Sequence, residues 1–89
     1  MKILLVRSNE QPISADVPHE LAVLQGIVGG RIEIVEPYTE NVVIVCNESG
    51  RIDGMPVNRK INDSIDICGD FFLCGHDGAG LTDTICQRI

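Results

Sequence analysis

The sequence predicts an α+β fold in which a mainly antiparallel sheet of roughly four to six strands carries one main helix, with a short helix at the C-terminal end. Three observations favour this class. A stripe of apolar residues at helical spacing ends at a double glycine, an alternating strand follows directly, and a continuous apolar run comes next. A helix that leads without a break into two strands is expected to lie on the sheet that they form.

The main helix is predicted to begin at Pro18 and to end at Gly29. Proline suits the first helical position, and Glu20 would place a carboxylate in the first turn, where the helix macrodipole favours an anion. Gly29 suits a left-handed C-cap, and Gly30 leaves the backbone free to turn back. The apolar stripe that would face the sheet consists of Leu21, Leu24, Ile27 and Val28.

The two strands after the helix differ in their patterns. Residues 31–36 alternate, with Ile32 and Ile34 on one face, which is typical of a half-buried strand. Residues 42–46, VVIVC, do not alternate, and such a run predicts a central strand that is covered on both faces. Residues 46–50, CNESG, are predicted as the following turn, because asparagine, serine and glycine suit tight backbone geometry.

The second half of the chain is expected to add shorter elements. Residues 51–60 contain a glycine and a proline, and they are predicted as an ordered excursion rather than a long regular element. Residues 65–75 return to strand, with a bulge at Gly69. Residues 81–89 are predicted as the short C-terminal helix, with Thr82 as its N-cap.

Length and composition are those of one domain of 89 residues. Its core must be aliphatic, because Tyr38, Phe71 and Phe72 are the only aromatic residues. Residues 2–7 and 13–17 are predicted to form a strand hairpin, and no apolar run approaches the ~20 residues of a membrane span, so a cytoplasmic location is expected. The formal charge of −6 argues against direct nucleic-acid binding, which needs a basic face.

The four cysteines are predicted to be buried, reduced thiols, because no pair has CxxC spacing. The alternative is a zinc site made of Cys68, Cys74, His76 and Cys86, if the fold gathers them. Cys74 and His76 can also be imagined as a nucleophilic pair, but the sequence offers neither an oxyanion turn nor a third member. No catalytic residue, metal or cofactor is therefore predicted.

Polar residues at the ends of predicted strands are candidate ligand contacts. Asn47 and Glu48 follow the strand predicted to be most buried, where side chains can face a shared crevice. The alternative is that they only form the turn. His76 lies beside Asp77 in a glycine-rich loop and is a further candidate.

A group of basic and amide side chains in residues 51–60 is a candidate anion site. It consists of Arg51, Asn58, Arg59 and Lys60. An arginine can bind phosphate or carboxylate through its planar fork, and a lysine adds a point charge. The alternative is that these cations offset Asp53 and Asp63 on a solvated surface.

Four motifs occur in order along nearly the whole chain: Val28-Gly29-Gly30, Cys46-Asn47-Glu48, Asn58-Arg59 and residues 69–75, GDFFLCG. Together they resemble a family of small phage, prophage and Firmicute proteins known only as domain of unknown function 3846. The spacer between Arg59 and Gly69 is short for this family, and Gly26 interrupts the helix. The resemblance implies an origin in a mobile element and no particular reaction.

Two functions are consistent with these features. The first is a small non-enzymatic accessory protein that sequesters an anionic, nucleotide-like signalling molecule of host immunity. A homo-oligomer is expected in that case, because one protomer has little room for a closed pocket. The second is an acidic module that mimics nucleic acid and blocks the basic face of a host defence or DNA-processing protein. Either protein would act in the host cytoplasm, without direct contact to nucleic acid or membrane.

Overall fold

The computed structural model describes residues 1–36, 41–50, 52–61, 65–76 and 80–82. These residues form eight strands and one helix, which in chain order are β1 (Lys2–Val6), β2 (Ile13–Asp16), α1 (Leu21–Val28), β3 (Ile32–Val35), β4 (Val42–Asn47), β5 (Val57–Ile61), β6 (Ile65–Cys68), β7 (Phe71–His76) and β8 (Leu81–Thr82). The α+β class is confirmed. Within the described residues, no helix is long and apolar enough to cross a membrane.

The main sheet has the strand order β2-β1-β7-β4-β3, and the short β8 also pairs with β7. All of its pairings are antiparallel, and the predicted β1–β2 hairpin is one of them. β4 lies between β7 and β3, and all six of its residues are buried. The prediction of a central strand from the continuous run VVIVC is therefore confirmed.

Each face of the main sheet carries an apolar layer, because alternate residues of a strand point to opposite faces. The helix layer lies under α1 and contains the buried side chains of Ile3, Leu5, Leu24, Val28, Val43, Val45, Phe72 and Cys74. The hairpin layer lies under the separate β5–β6 hairpin and contains Val6, Val42, Ile44, Cys46, Ile67, Phe71 and Leu73. β4 contributes to both layers, so it is the centre of the core.

α1 begins three residues later than predicted, at Leu21. Glu20 is the N-cap residue, its side chain makes no capping hydrogen bond, and the first turn holds no acidic residue. The predicted start at Pro18 is wrong, because β2 ends only at Asp16 and residues 17–20 have no regular structure. The Val17 N–H donates to the Met1 carbonyl at 2.8 Å, and the residue before a proline is restricted to extended conformations.

The predicted end of α1 is confirmed. Gly29 has the left-handed conformation, with φ 81°, and its N–H donates to the Gln25 carbonyl at 2.8 Å. β3 follows at once, but it is less buried than the alternating pattern predicts. Ile32 packs against the helix layer, whereas Ile34 is 44% exposed, because β3 is the edge of the sheet.

Two predictions for the second half of the chain are wrong. Residues 57–61 form β5, which pairs with β6, so the segment predicted as an ordered excursion without a long regular element holds a strand. The turn of this segment lies in the residues before β5, where Gly54 has φ 76°. Gly69 is not a bulge within one strand. With φ 79°, it turns the chain from β6 into β7, which belong to different sheets.

The segment predicted as the C-terminal helix begins as a strand, so Thr82 is not a helix N-cap. Leu81 and Thr82 form β8, opposite His76 and Gly75 of β7. The remaining residues of the predicted C-terminal helix, 83–89, lie outside the described part of the chain.

The glycine at position 69 should be needed for stability, in contrast to the helical glycine at position 26. A Cβ at Gly69 would lie 2.7 Å from the Met55 Sδ, and φ 79° disfavours any L side chain, so Gly69→Ala should lower the free energy of unfolding by about 1–3 kcal/mol. Gly26→Ala meets no atom within 4 Å and should raise it by about 0.5–1 kcal/mol. Urea denaturation of both variants measures the difference. A Gly69→Ala protein as stable as the parent would contradict the assignment of this turn.

Candidate functional site

A cleft of about 390 Å³ opens between the β3–β4 edge of the main sheet and the β5–β6 hairpin. Its apolar lining includes Val35, Ile65 and Ile67, and Ile52, which also lines it, is 88% exposed. The cleft arises because the hairpin covers the middle of the sheet, whereas β3 extends beyond it as an edge strand. A concave site with apolar walls and a few polar groups is the usual form of a binding site.

The cleft is acidic. Glu33, Glu48 and Asp66 line it, and none of the described lining residues is a lysine, arginine or histidine. Lys60 offsets one of these charges, because its Nζ lies 3.7 Å from the Asp66 Oδ1. Among the described residues, Glu33 and Glu48 have no ion-pair partner. A cleft with one sign of charge concentrates ligands of the other sign, so this site favours cations and disfavours phosphates.

Two of the predicted ligand contacts, Asn47 and Glu48, line the cleft, but the Asn47 side chain is engaged in the fold. Asn47 is 6% exposed, and its Nδ2 donates to the Val28 carbonyl at 3.1 Å. Its Oδ1 accepts from the Ser49 N–H at 2.8 Å and from the Ser49 hydroxyl at 3.3 Å. The alternative of a turn-forming asparagine therefore describes this side chain.

The motifs Val28-Gly29-Gly30 and Cys46-Asn47-Glu48 meet in space. A Cβ at Gly30 would lie 2.9 Å from the Asn47 Nδ2, so only glycine lets the chain pass this amide without displacement. Next to it, the Glu48 N–H donates to the Arg31 carbonyl at 2.8 Å. These contacts leave the Glu48 side chain exposed at the mouth of the cleft.

Asn58 and Arg59, two members of the predicted anion site, do not line the cleft. The Asn58 Nδ2 donates to the Val6 and Gly69 carbonyls, both at 2.9 Å. The Arg59 Nη1 donates to the Asn58 carbonyl at 2.9 Å and to its Oδ1 at 2.8 Å, and Nη2 donates to the Glu10 carbonyl at 2.6 Å. These side chains join the hairpin to the end of β1. Of the other two members, Lys60 pairs with Asp66, and Arg51 lies outside the described residues.

His76 lies at the far end of the sheet from the cleft. β7 runs antiparallel to β4, with Gly75 opposite Val42, and the His76 N–H donates to the Asn41 carbonyl at 3.1 Å. The cleft is at the other end of β4, by Asn47, about 17 Å away at the rise of a strand. The structure therefore does not bring His76 to the other candidates.

The three described cysteines, Cys46, Cys68 and Cys74, are buried and free, as predicted, and Cys86 lies outside the described residues. Burial raises the pKa of the Cys74 thiol to about 11. Burial, and then the negative charge of Glu33, raise the pKa of Cys46 to about 11 as well. A nucleophile must be a thiolate, so neither thiol is poised for catalysis at neutral pH.

The ligands of the alternative zinc site are not gathered in the described part of the chain. Cys74 points into the helix layer, whereas Cys68 lines the cleft on the other side of the sheet. The described residues contain no group of three or more histidine, cysteine or acidic side chains that can hold a metal ion.

The sequence interpretation missed Glu33 and Asp66. Each is a charged residue inside a strand, and Glu33 shares a face with Val35, so alternation alone places its carboxylate on the side of a buried residue. That signal identifies a face, but it does not reveal that the faces of β3 and β6 oppose each other across a cleft.

The amide of Asn47 should matter for stability, and the neighbouring carboxylate should not. Asn47→Ala leaves the Val28 carbonyl and the Ser49 N–H without their partner, so the free energy of unfolding should fall by about 1–3 kcal/mol. Glu48→Ala changes an exposed side chain and should stay within about 0.5 kcal/mol of the parent. Urea denaturation of the two variants tests this, and equal stabilities would refute the structural role of the amide.

The buried thiols should make the fold sensitive to alkaline pH. Because the pKa of Cys74 is about 11 in the fold and 9.0 ordinarily, its contribution to stability is complete below pH 9 and is lost as the pH rises to about 11. Cys74→Ala removes this contribution, so the stability difference between parent and variant should shrink over that range. Denaturation at several pH values measures it. A constant difference would show that the thiol titrates as it does in water.

The comparisons with known proteins identify a family. The family profile for the Domain of unknown function (DUF3846) matches residues 1–89. No curated protein and no solved structure matches the chain. The four motifs read from the sequence thus led to the right family, and the chain belongs to the Domain of unknown function (DUF3846) family.

Proposed function

We propose that this chain is a non-enzymatic binding protein that takes a basic segment of a partner protein into its acidic cleft, and so blocks a basic surface of that partner. The observation that carries the proposal is the charge of the cleft, which is lined by the carboxylates of Glu33, Glu48 and Asp66 together with apolar side chains. In the setting implied by the resemblance, the partner is a host defence or DNA-processing protein in the host cytoplasm.

Electrostatics favours this reading over sequestration of a nucleotide. A cation about 4 Å from a carboxylate gains about 1 kcal/mol in water, and several times more where the pair is partly desolvated. A phosphate in the same position would be repelled by Glu33 and Glu48. The nucleotide hypothesis stays a prediction, and it requires a site outside this cleft.

The absence of catalysis is part of the proposal. The best sequence candidate for an enzyme was the pair Cys74 and His76. The Cys74 thiol is fully buried, and burial keeps it protonated at neutral pH by raising its pKa to about 11. A partner that reaches the cleft meets carboxylates and apolar side chains, which is a set suited to binding.

Titration with octalysine should test the charge of the cleft. The parent should bind octalysine at about 0.01 M salt and lose most of the affinity at about 0.15 M, because exposed charges are screened. Glu33→Gln combined with Glu48→Gln should weaken binding about tenfold. Isothermal titration calorimetry provides both measurements.

The matched control changes the same charge elsewhere. Glu10→Gln combined with Glu20→Gln also removes two exposed carboxylates, but these lie outside the cleft, so binding should change by less than about threefold. ATP serves as the anionic probe and should not bind. If ATP binds and octalysine does not, the nucleotide hypothesis replaces the proposal.

A further inference from the structure

β3 is an open edge of the main sheet. It pairs with β4, and among the described residues nothing pairs with its other side. Proteins usually protect such an edge with a bulge, a proline, a covering segment or charged side chains, and Glu33 is the one charged residue of β3. The β3–β4 register is regular, β3 contains no proline, and Ile34 is 44% exposed. As far as the described residues go, the outer side of β3 is therefore open to a further strand.

The register shows which backbone groups are available. In an antiparallel ladder, hydrogen-bonded pairs alternate with non-bonded pairs. The Glu48 N–H donates to the Arg31 carbonyl at 2.8 Å, so the Glu33–Cys46 and Val35–Ile44 pairs also belong to the bonded set. The residues between them, Ile32 and Ile34, direct their N–H and C=O groups to the open side.

The two faces of this edge differ in chemistry. Glu33 and Val35 face the hairpin side and line the cleft, whereas Ile32 and Ile34 face the helix side. A strand added beside β3 would have one set of alternate side chains toward the cleft carboxylates. Its other set would lie beside the two isoleucines.

Charge decides between the two possible occupants of the edge. A second copy of the chain would add another net charge of −6 and a second acidic cleft. An antiparallel copy centred on Glu33 would also place two glutamates directly opposite each other, which destabilises a strand pair. A basic segment of another protein meets attraction instead. The opposite edge, β2, is not among the strands that line the cleft.

We propose that an extended partner segment with alternating basic and apolar residues adds to β3 as a strand, with its basic side chains in the cleft. This inference rests on the proposed function and specifies the mode of recognition. Main-chain hydrogen bonds to Ile32 and Ile34 supply affinity, and the carboxylates of Glu33 and Glu48 select the basic residues.

The probe is an acetylated and amidated hexapeptide of alternating lysine and valine. With the peptide antiparallel to β3, hydrogen-bonded residues lie directly opposite each other and share a face, so the valines would pair with Ile32 and Ile34. N-methylation of the valines removes the pairing donors and keeps the charge. It should weaken binding about tenfold, as expected for the loss of two net hydrogen bonds. The Ile32 and Ile34 amides should become protected from hydrogen exchange when the unmodified peptide binds.

Variants of the two sheet edges provide the matched protein control. Ile34→Pro removes an outward N–H and leaves the β3–β4 ladder intact, so it should also weaken binding about tenfold. Ser14→Pro makes the same change on β2. In β2, the hydrogen bond from the Val17 N–H to the Met1 carbonyl identifies the residues whose N–H groups point toward β1. Ser14 is not among them, so its N–H points away from β1. Ser14→Pro should change binding by less than about twofold.

The outcomes separate this inference from the proposed function. If both peptides bind equally and neither isoleucine amide gains protection, charge alone holds the ligand, and strand addition is refuted while the proposed function stands. The same holds if octalysine binds and the hexapeptide does not. If no basic probe binds, the proposed function fails as well. A dimer that protects Ile32 and Ile34 without peptide would show that a second copy occupies the edge and would overturn the inference.

Discussion

The buried amide of Asn47 is the interaction on which the arrangement of the other elements depends. An amide with 6% exposure must find partners inside the protein, because an unsatisfied buried group costs about 1–3 kcal/mol. Its partners are the carbonyl of Val28, at the end of α1, and the backbone and hydroxyl of Ser49. Gly30 passes so close that a Cβ there would lie 2.9 Å from the Asn47 Nδ2. One side chain thus sets the end of the helix and the start of β3 relative to the central strand.

The cleft follows from this framework. Since α1 ends where Asn47 holds it, β3 starts beside Asn47 and pairs with β4 as the edge strand, and its hairpin-side face lies across the cleft from β6. The hairpin is held against the sheet by Asn58, whose Nδ2 donates to the carbonyls of Val6 and Gly69, and by Ile67, which is buried in the hairpin layer. The walls of the cleft are therefore fixed by packing and buried hydrogen bonds, and its carboxylates are not needed to hold them.

The sequence predicted the elements that depend on local patterns and missed those that depend on distant partners. The end of α1 at Gly29 and the burial of residues 42–46 follow from local glycine geometry and from an unbroken apolar run. β5 was missed because VNRKI becomes a strand only by pairing with β6. Arg59 was misread for a related reason. Its guanidinium bonds the carbonyl of Glu10, 49 residues earlier in the chain, and spacing in the sequence gives no sign of such a contact.

The same distinction explains why the sequence predicts an anion site, whereas the structure has an acidic cleft that favours cations. Basic residues that are close in the sequence suggested an anion site, but a cation defines a site only if its donors remain available in the fold. The donors of Arg59 and Asn58 satisfy main-chain carbonyls, and Lys60 is paired with Asp66. Glu33 and Glu48 have no ion-pair partner among the described residues, and they share a cleft with apolar walls. Because binding uses the groups that folding leaves unsatisfied, the chemistry of this protein is set by its carboxylates and by the open edge of β3.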